Sequence, residues 1–215
     1  VTSVNLAATG PGGLLSRHGR SGIDKRPVTG PVFLDVGGVA GDRIGDLRHH
    51  GGAEQAVYAY AAEDLAFWAA ELDRPMGPGR VGENLTLSGV DCSGSVIGER
   101  WQVGAAVLRV TAPRIPCSTF AGFVQVPDLV GRFLAAGRPG CYLAVERPAD
   151  VQGGDPVHVV DRPAHGVTVA EVMAAVGGRR ELLQRVASAR GDFGPRGRKW
   201  LDRTLAAIER TPARE

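Results

Sequence analysis

Long apolar runs are missing from this sequence: none approaches the roughly 20 residues that a membrane-spanning helix needs, so the pattern predicts no membrane span. Cysteine is scarce as well. Cys92, Cys117 and Cys141 are three, an odd number with no CxxC spacing. That excludes a disulfide framework, and with no secretory leader in view it predicts reduced thiols in a cytoplasmic protein. A net charge of +2 is too small to predict nucleic acid or membrane binding. Aromatics are few, at 6 %, and no internal repeat or motif for an iron–sulfur cluster, flavin or haem is present.

Glycine is what the chain has in excess. It fills 31 of 215 positions, about twice average usage, without a collagen-like period, which points to tight turns, bulges and close backbone approaches. A turn-rich β protein fits this better than a helical bundle. Short strand candidates recur at Val1–Ala8, Val32–Val36, Ala56–Tyr60, Leu85–Leu87, Val96–Ile97, Gly140–Glu146 and Pro156–Asp161. Trp101–Thr111 reads as a hairpin turning near Gly104-Ala105, whereas Glu63–Leu72 and Val126–Ala136 carry helical spacing. The segments between them, notably residues 9–30 and the Pro113–Gly122 stretch, read as loops.

The character changes at Gly166. Thr168-x-x-Glu171 is a capping box before an apolar run that ends at Gly177-Gly178. Glu181–Ala189 is a second helix candidate, and Pro195 opens a third with Trp200, Leu201, Leu205 and Ile208 on one face. The expected fold is therefore mainly β and barrel-like over residues 1–165, with a three-helix extension over 166–215. Charge divides similarly: the first part has 15 Lys/Arg against 17 Asp/Glu, the second 10 against 6. The basic tail suits either a solvated helical face or contact with an acidic partner.

Three polar clusters could carry chemistry. Arg48-His49-His50-Gly51-Gly52 offers imidazoles beside glycines that let a ligand approach the backbone, although either histidine also suits a hydrogen-bonded turn. In Gly79-Arg80-Val81-Gly82-Glu83-Asn84-Leu85, the Asn84 amide can satisfy local backbone or recognise a heterocycle. In Pro113-Arg114-Ile115-Pro116-Cys117-Ser118, a thiol sits in a proline-bracketed loop after a strand, with a guanidinium three residues away. That setting lowers a thiol pKa and holds the sulfur still, as a metal ligand or nucleophile requires, though a lone cysteine also serves as a small buried hydrophobe. Cys92, in a Ser/Gly-rich turn, and Cys141, in a strand-like run, read as inert.

Taken in order, these stretches resemble the MOSC domain, in its bacterial YiiM-like branch. The resemblance is carried by Gly22-Ile23-Asp24-Lys25-Arg26-Pro27-Val28, Gly41-Asp42 through Gly52, Ala56-Val57-Tyr58-Ala59-Tyr60, Phe67-Trp68, Gly82-Glu83-Asn84-Leu85-Thr86, Ile97-Gly98-Glu99-Arg100 and Pro113-Arg114-Ile115-Pro116-Cys117. Gly140-Cys141-Tyr142-Leu143-Ala144-Val145 and the Val151–Asp155 stretch register less closely. The resemblance implies a barrel-like β fold and a molybdenum cofactor whose metal is bound by Cys117. It further implies Lys25, Arg48 and Arg114 as partners of the cofactor's terminal phosphate, Asn84 as a partner of the pterin edge, and His50 as a hydrogen-bond partner of a metal oxo group or a proton relay in N–O reduction. Where this branch commonly has an acidic residue followed by Lys, the chain reads Ala53-Glu54-Gln55, so Gln55 supplies no positive charge.

Three functions follow as expectations. One is an oxidoreductase that reduces N-hydroxylated (hydroxylamino) small molecules, such as hydroxylaminopurines, with electrons from a separate donor protein. Another is a sulfur carrier holding a persulfide on Cys117, and the third is a non-catalytic cofactor-binding protein. Neither nucleic acid nor membrane is an expected partner, and a homodimer stands as an open alternative to a monomer.

Overall fold

Alternation of large apolar residues with glycine-rich turns sets the architecture, which we describe from a computed structural model over residues 1–8, 15–16, 19–45 and 50–209. In chain order the strands are β1 (Ser3–Ala7), β2 (Leu15–Ser16), β3 (Gly19–Arg20), β4 (Lys25–Val28), β5 (Val32–Asp35), β6 (Gly38–Val39), β7 (Val57–Ala61), β8 (Leu85–Leu87), β9 (Arg100–Val103), β10 (Ala106–Pro113), β11 (Cys141–Arg147), β12 (Ala149–Val151) and β13 (Val157–Asp161). The helices are α1 (Ala62–Leu72), α2 (Ser118–Val124), α3 (Leu129–Ala136), α4 (Val169–Val176), α5 (Leu183–Ala187) and α6 (Pro195–Glu209), with single 3-10 turns at Ala53–Gln55 and Arg180–Leu182.

Eight strands form one mixed sheet in the order β13-β9-β10-β11-β7-β8-β1-β4, beside a smaller β12-β5-β6 sheet and the β2-β3 pair. All neighbours in the large sheet are antiparallel except β7 and β8, which run parallel because α1 and the loop after it carry the chain back. The mainly β reading with a three-helix C-terminal extension therefore holds.

Strand β7 shows how the two cores are divided. Every residue of Val57-Tyr58-Ala59-Tyr60-Ala61 is buried, so it is a central strand covered on both faces. Val57, Ala59 and Ala61 join the main core, where Leu34, Trp101, Leu108 and Leu143 pack with Val169, Val172, Val186 and Leu201 of the C-terminal helices. Tyr58 and Tyr60 face a second, aromatic core under α1, α2 and α3. There Phe133 stacks on Trp68 with ring centres 5.3 Å apart and meets Phe120 edge-on at 5.2 Å, a geometry that adds to simple burial. Trp68 Nε1 donates to Tyr60 Oη at 2.9 Å, and Tyr60 Oη donates to the Arg138 carbonyl at 2.8 Å. The buried phenol and indole thus keep their hydrogen bonds.

Two segments read as loops are ordered elements. Lys25-Arg26-Pro27-Val28 is strand β4, with Pro27 opposite Asn5. It lies at the end of the sheet, where a proline without an N–H is tolerated. Ser118–Val124 is helix α2: Gly122 weakens it, but burial of Phe120, Ala121 and Val124 outweighs that propensity. At the C-terminal end, Thr168 forms the expected capping box with Glu171, the Glu171 N–H donating to Thr168 Oγ1 at 3.2 Å.

Candidate active site

The central strands deliver their ends to one place. Strand β10 finishes at Pro113, and Arg114-Ile115-Pro116 leads to Cys117, which caps the start of α2 in an extended conformation. Tyr142 comes from the start of β11, Tyr58 from the start of β7, and Asn84 immediately precedes β8. With Lys25, Asp42, His50 and Gln55 they line a cavity of about 1120 Å³, ample for a drug-sized ligand or cofactor. Cys117 is half-buried on its wall, while Cys92 and Cys141 are fully buried elsewhere.

Opposing influences act on the Cys117 sulfur. Burial, the largest, raises its pKa; a hydrogen bond from His50, the charge of Arg114, the Phe120 backbone N–H and the charge of His50 lower it. The lowering influences win and hold the thiol at about 6. At neutral pH the group is then a thiolate, the form that ligates soft metals and attacks electrophiles.

Arg114 is 3 % exposed, so its charge is concentrated at the site. Its guanidinium lies 4.3 Å from the Phe120 ring centre and 5.8 Å from that of Phe133. The rings hold the planar cation but satisfy none of its N–H groups. Among the described residues Nη1 is buried without a hydrogen-bond partner, as is Oε1 of Gln55 on the same cavity's lining. The Cys117 thiolate offsets part of this buried charge, and the open N–H suits an anionic ligand. Burial raises the pKa values of Tyr58 and Tyr142 despite the nearby charge of Arg114, so both phenols remain protonated. Tyr58 Oη donates to the Pro139 carbonyl at 2.8 Å, which fixes its ring in the wall.

Across the cavity a buried polar network braces the opposite wall. Asp42 is its hub: Oδ1 accepts from the Ala7 N–H at 2.8 Å, while Oδ2 accepts from Asn84 Nδ2 at 2.8 Å and from the Lys25 ammonium. Asn84 also accepts from the Tyr58 N–H at 3.2 Å and donates to the Asn5 carbonyl at 3.4 Å. Its amide is therefore engaged within the protein. Lys25 is buried against Asp42, and burial, partly offset by the Asp42 charge, lowers its pKa. Neighbouring Glu83 accepts from the Gly79 N–H at 2.6 Å, the Val81 N–H at 3.2 Å and Thr86 Oγ1 at 2.9 Å, shaping the Gly79–Gly82 turn. Gly79 has φ +83°, and a Cβ there would lie 2.2 Å from the Lys25 carbonyl oxygen, so only glycine fits.

The structure thus gathers Cys117, His50, Arg114, Lys25 and Asn84 at one cavity. Arg48 and His49 lie outside the described residues. Asp42, Tyr58, Tyr142 and Gln55 were not singled out as site residues by sequence, although Asp42 sits in the quoted Gly41-Asp42 pair and Gln55 marks the missing positive charge. Among the described residues no three His, Cys, Asp or Glu side chains gather into a metal-holding cluster, and no helix is long and apolar enough to cross a membrane.

Comparison with known proteins gives this geometry a setting. Residues 46–158 match the family model of the MOSC domain. Protein YiiM of Escherichia coli (strain K12) is 30 % identical over 158 residues, covering 72 % of this chain and 70 % of that protein. A protein of Gibberella moniliformis (strain M3125 / FGSC 7600) named "Reductase" is 30 % identical over 181 residues, covering 81 % of this chain and 32 % of its own length. The chain thus spans about a third of that protein. The crystal structure of YiiM from Geobacillus stearothermophilus superimposes with a TM-score of 0.78 at 26 % identity, covering 95 % of this chain and 98 % of that one.

Proposed function

Because the chain belongs to the MOSC domain family, in its YiiM-like branch, we propose that it binds a molybdenum cofactor through Cys117 and reduces N-hydroxylated small molecules. The observation that carries this reading is the juxtaposition of the Cys117 thiol with buried Arg114 Nη1, unpartnered among the described residues, on one large cavity. The residues present fit such a cofactor. A thiolate is a soft ligand suited to a metal that also carries dithiolene sulfurs, and Arg114 offers a donor to a phosphate or other anionic group. When bound, the cofactor supplies the two electrons that, with two protons, turn an N–OH group into N–H and water.

This chain's own residues have separate tasks in that reading. Cys117 holds the metal. Arg114, fixed over Phe120, neutralises an anionic part of the cofactor. His50, which touches the Cys117 sulfur, is placed to hold or pass a proton next to the ligated thiolate. Tyr58 and Tyr142 close the wall as neutral phenols. Lys25 is tied to Asp42 and so offers the cavity no free ammonium, and Asn84 holds Asp42 and the Tyr58 backbone in place. Electrons come from a separate protein in a cytoplasmic setting. The Gibberella relative named "Reductase" supports an oxidoreductase over a storage protein.

The depressed thiol pKa would also suit a persulfide carrier. Dithionite-driven reduction of a hydroxylaminopurine by cofactor-loaded protein separates the readings. Turnover in the wild type and loss of at least 100-fold in Cys117→Ala is expected. Labile sulfane sulfur on Cys117 with no turnover would replace the reductase by the carrier, and cofactor retention with no turnover would leave a binding protein.

A further inference from the structure

Helix α6 presents cations that the fold does not use. Elsewhere in the C-terminal part, Arg179, Arg185 and Arg190 hold Glu181, Glu171 and Asp202. By contrast, Arg196, Lys199 and Arg203 are exposed and, among the described residues, have no ion-pair or hydrogen-bond partner for their charged groups. Their spacing of three and four residues puts them on one helical face. With Trp200 and Thr204 they line a shallow groove of about 480 Å³. Trp200 is partly buried against the main core, so an anchored aromatic sits among the free charges.

The position of this face matters as much as its charge. Gly194, one residue before α6, lies against Glu54: a Cβ on it would be 2.0 Å from Glu54 Oε2. Glu54 adjoins Gln55 on the lining of the Cys117 cavity. The segment leading into α6 therefore touches Glu54, whose chain neighbour Gln55 lines the candidate site.

We propose that the Arg196–Lys199–Arg203 face of α6, with Trp200 in its groove, is the docking surface for an acidic face of the electron-donor protein. This rests on the reductase reading, in which a chain with no redox motif of its own receives two electrons per N–O bond cleaved. Charge complementarity selects the partner's chemistry. Three cations spread over about 10 Å of helix are few for a nucleic acid, whose binding rests on many phosphate contacts. Tryptophan beside arginine is instead the composition of protein–protein hot spots. A basic patch next to the site also steers an acidic one-electron donor to where electrons enter, and two such encounters complete one turnover.

The test uses cofactor-loaded full-length protein and reduced plant-type [2Fe–2S] ferredoxin as the acidic probe. Wild type is compared with R196E/K199E/R203E, and with R196Q/K199Q/R203Q as an intermediate. Binding is titrated without substrate, and turnover is driven in parallel by ferredoxin and by dithionite. Wild-type binding should weaken about tenfold or more when salt rises from about 20 to about 300 mM. The triple reversal should lose at least tenfold in binding and ferredoxin-driven rate at low salt, while its dithionite-driven rate stays at the wild-type value. Ferredoxin binding that is absent, salt-independent or equal in all three proteins would overturn the proposal, as would loss of binding only to duplex DNA or anionic vesicles. If dithionite drives no turnover in the wild type, the reductase reading fails, and the binding titration still decides the docking surface.

Discussion

Alkylation of Cys117 in metal-free protein should follow a thiol that ionises near pH 6, and the size of the effect can be worked out. Burial opposes ionisation, but His50, Arg114 and the Phe120 N–H outweigh it. At pH 5.5 a thiol of pKa about 6 is roughly one-quarter thiolate, against about 0.1 % for an ordinary cysteine near 8.5. Intrinsic nucleophilicity falls with basicity, by about 10- to 18-fold over 2.5 pKa units. The net expectation is iodoacetamide reaction about 20-fold faster than free cysteine at pH 5.5 and close to parity by pH 7.5. Partial burial scales the absolute rate but leaves the profile's midpoint in place. Cys92 and Cys141 are 0 % exposed, so mass spectrometry of native protein should find one label per chain, on Cys117. His50→Ala and Arg114→Met should each move the midpoint upward. A rate still climbing between pH 7.5 and 9 would refute the electrostatic account of this site.

Other consequences concern the scaffold. Asp42→Ala leaves buried Lys25 uncompensated and removes acceptors from Asn84 and the Ala7 N–H, so denaturant unfolding should show a loss of about 3–5 kcal/mol, partly recovered by adding Lys25→Met. Glu83 is fully buried, and desolvation outweighs its hydrogen bonds to raise its pKa from 4.5 to about 7. Because the folded value is raised, its contribution is full below about pH 4.5 and is lost as pH rises through about 7, on the order of 3 kcal/mol in all. Melting in matched buffers should show this fall between pH 5 and 8, and Glu83→Gln should flatten it. Thr168→Ala removes the α4 capping box and should cost about 1 kcal/mol, read as a drop of a few degrees in Tm with the Cys117 reaction profile unchanged.

How much of this could be read from the sequence depended on how local the cause was. Strand β7, the β9–β10 hairpin, α1 and the Thr168 cap follow from alternation, helical spacing or a four-residue signature, all contained in short windows. Strand β4 escaped notice because Pro27 and its charged neighbours argue against a strand unless it is known to lie at a sheet edge. Helix α2 was hidden by the prolines around Cys117; its stability comes from Phe120 packing on Phe133, a contact across 13 residues of sequence. At the site, the Cys117–Arg114 proximity is legible from their three-residue spacing. The Asn84 brace is not, since its partners Asp42, Tyr58 and Asn5 arrive from separate strands and loops. The same is true of Gln55, whose place on the cavity wall depends on the turn made by Gly51 and Gly52, both at positive φ.

The central claim is that Cys117 holds the metal of a bound molybdenum cofactor, and elemental plus pterin analysis tests it most directly. Protein purified from a cofactor-competent host should carry molybdenum and pterin in near-equal amounts, approaching one per chain. Cys117→Ala, purified alongside, should lose most of its molybdenum while keeping its fold and melting temperature. Equal molybdenum in the two proteins would contradict the account.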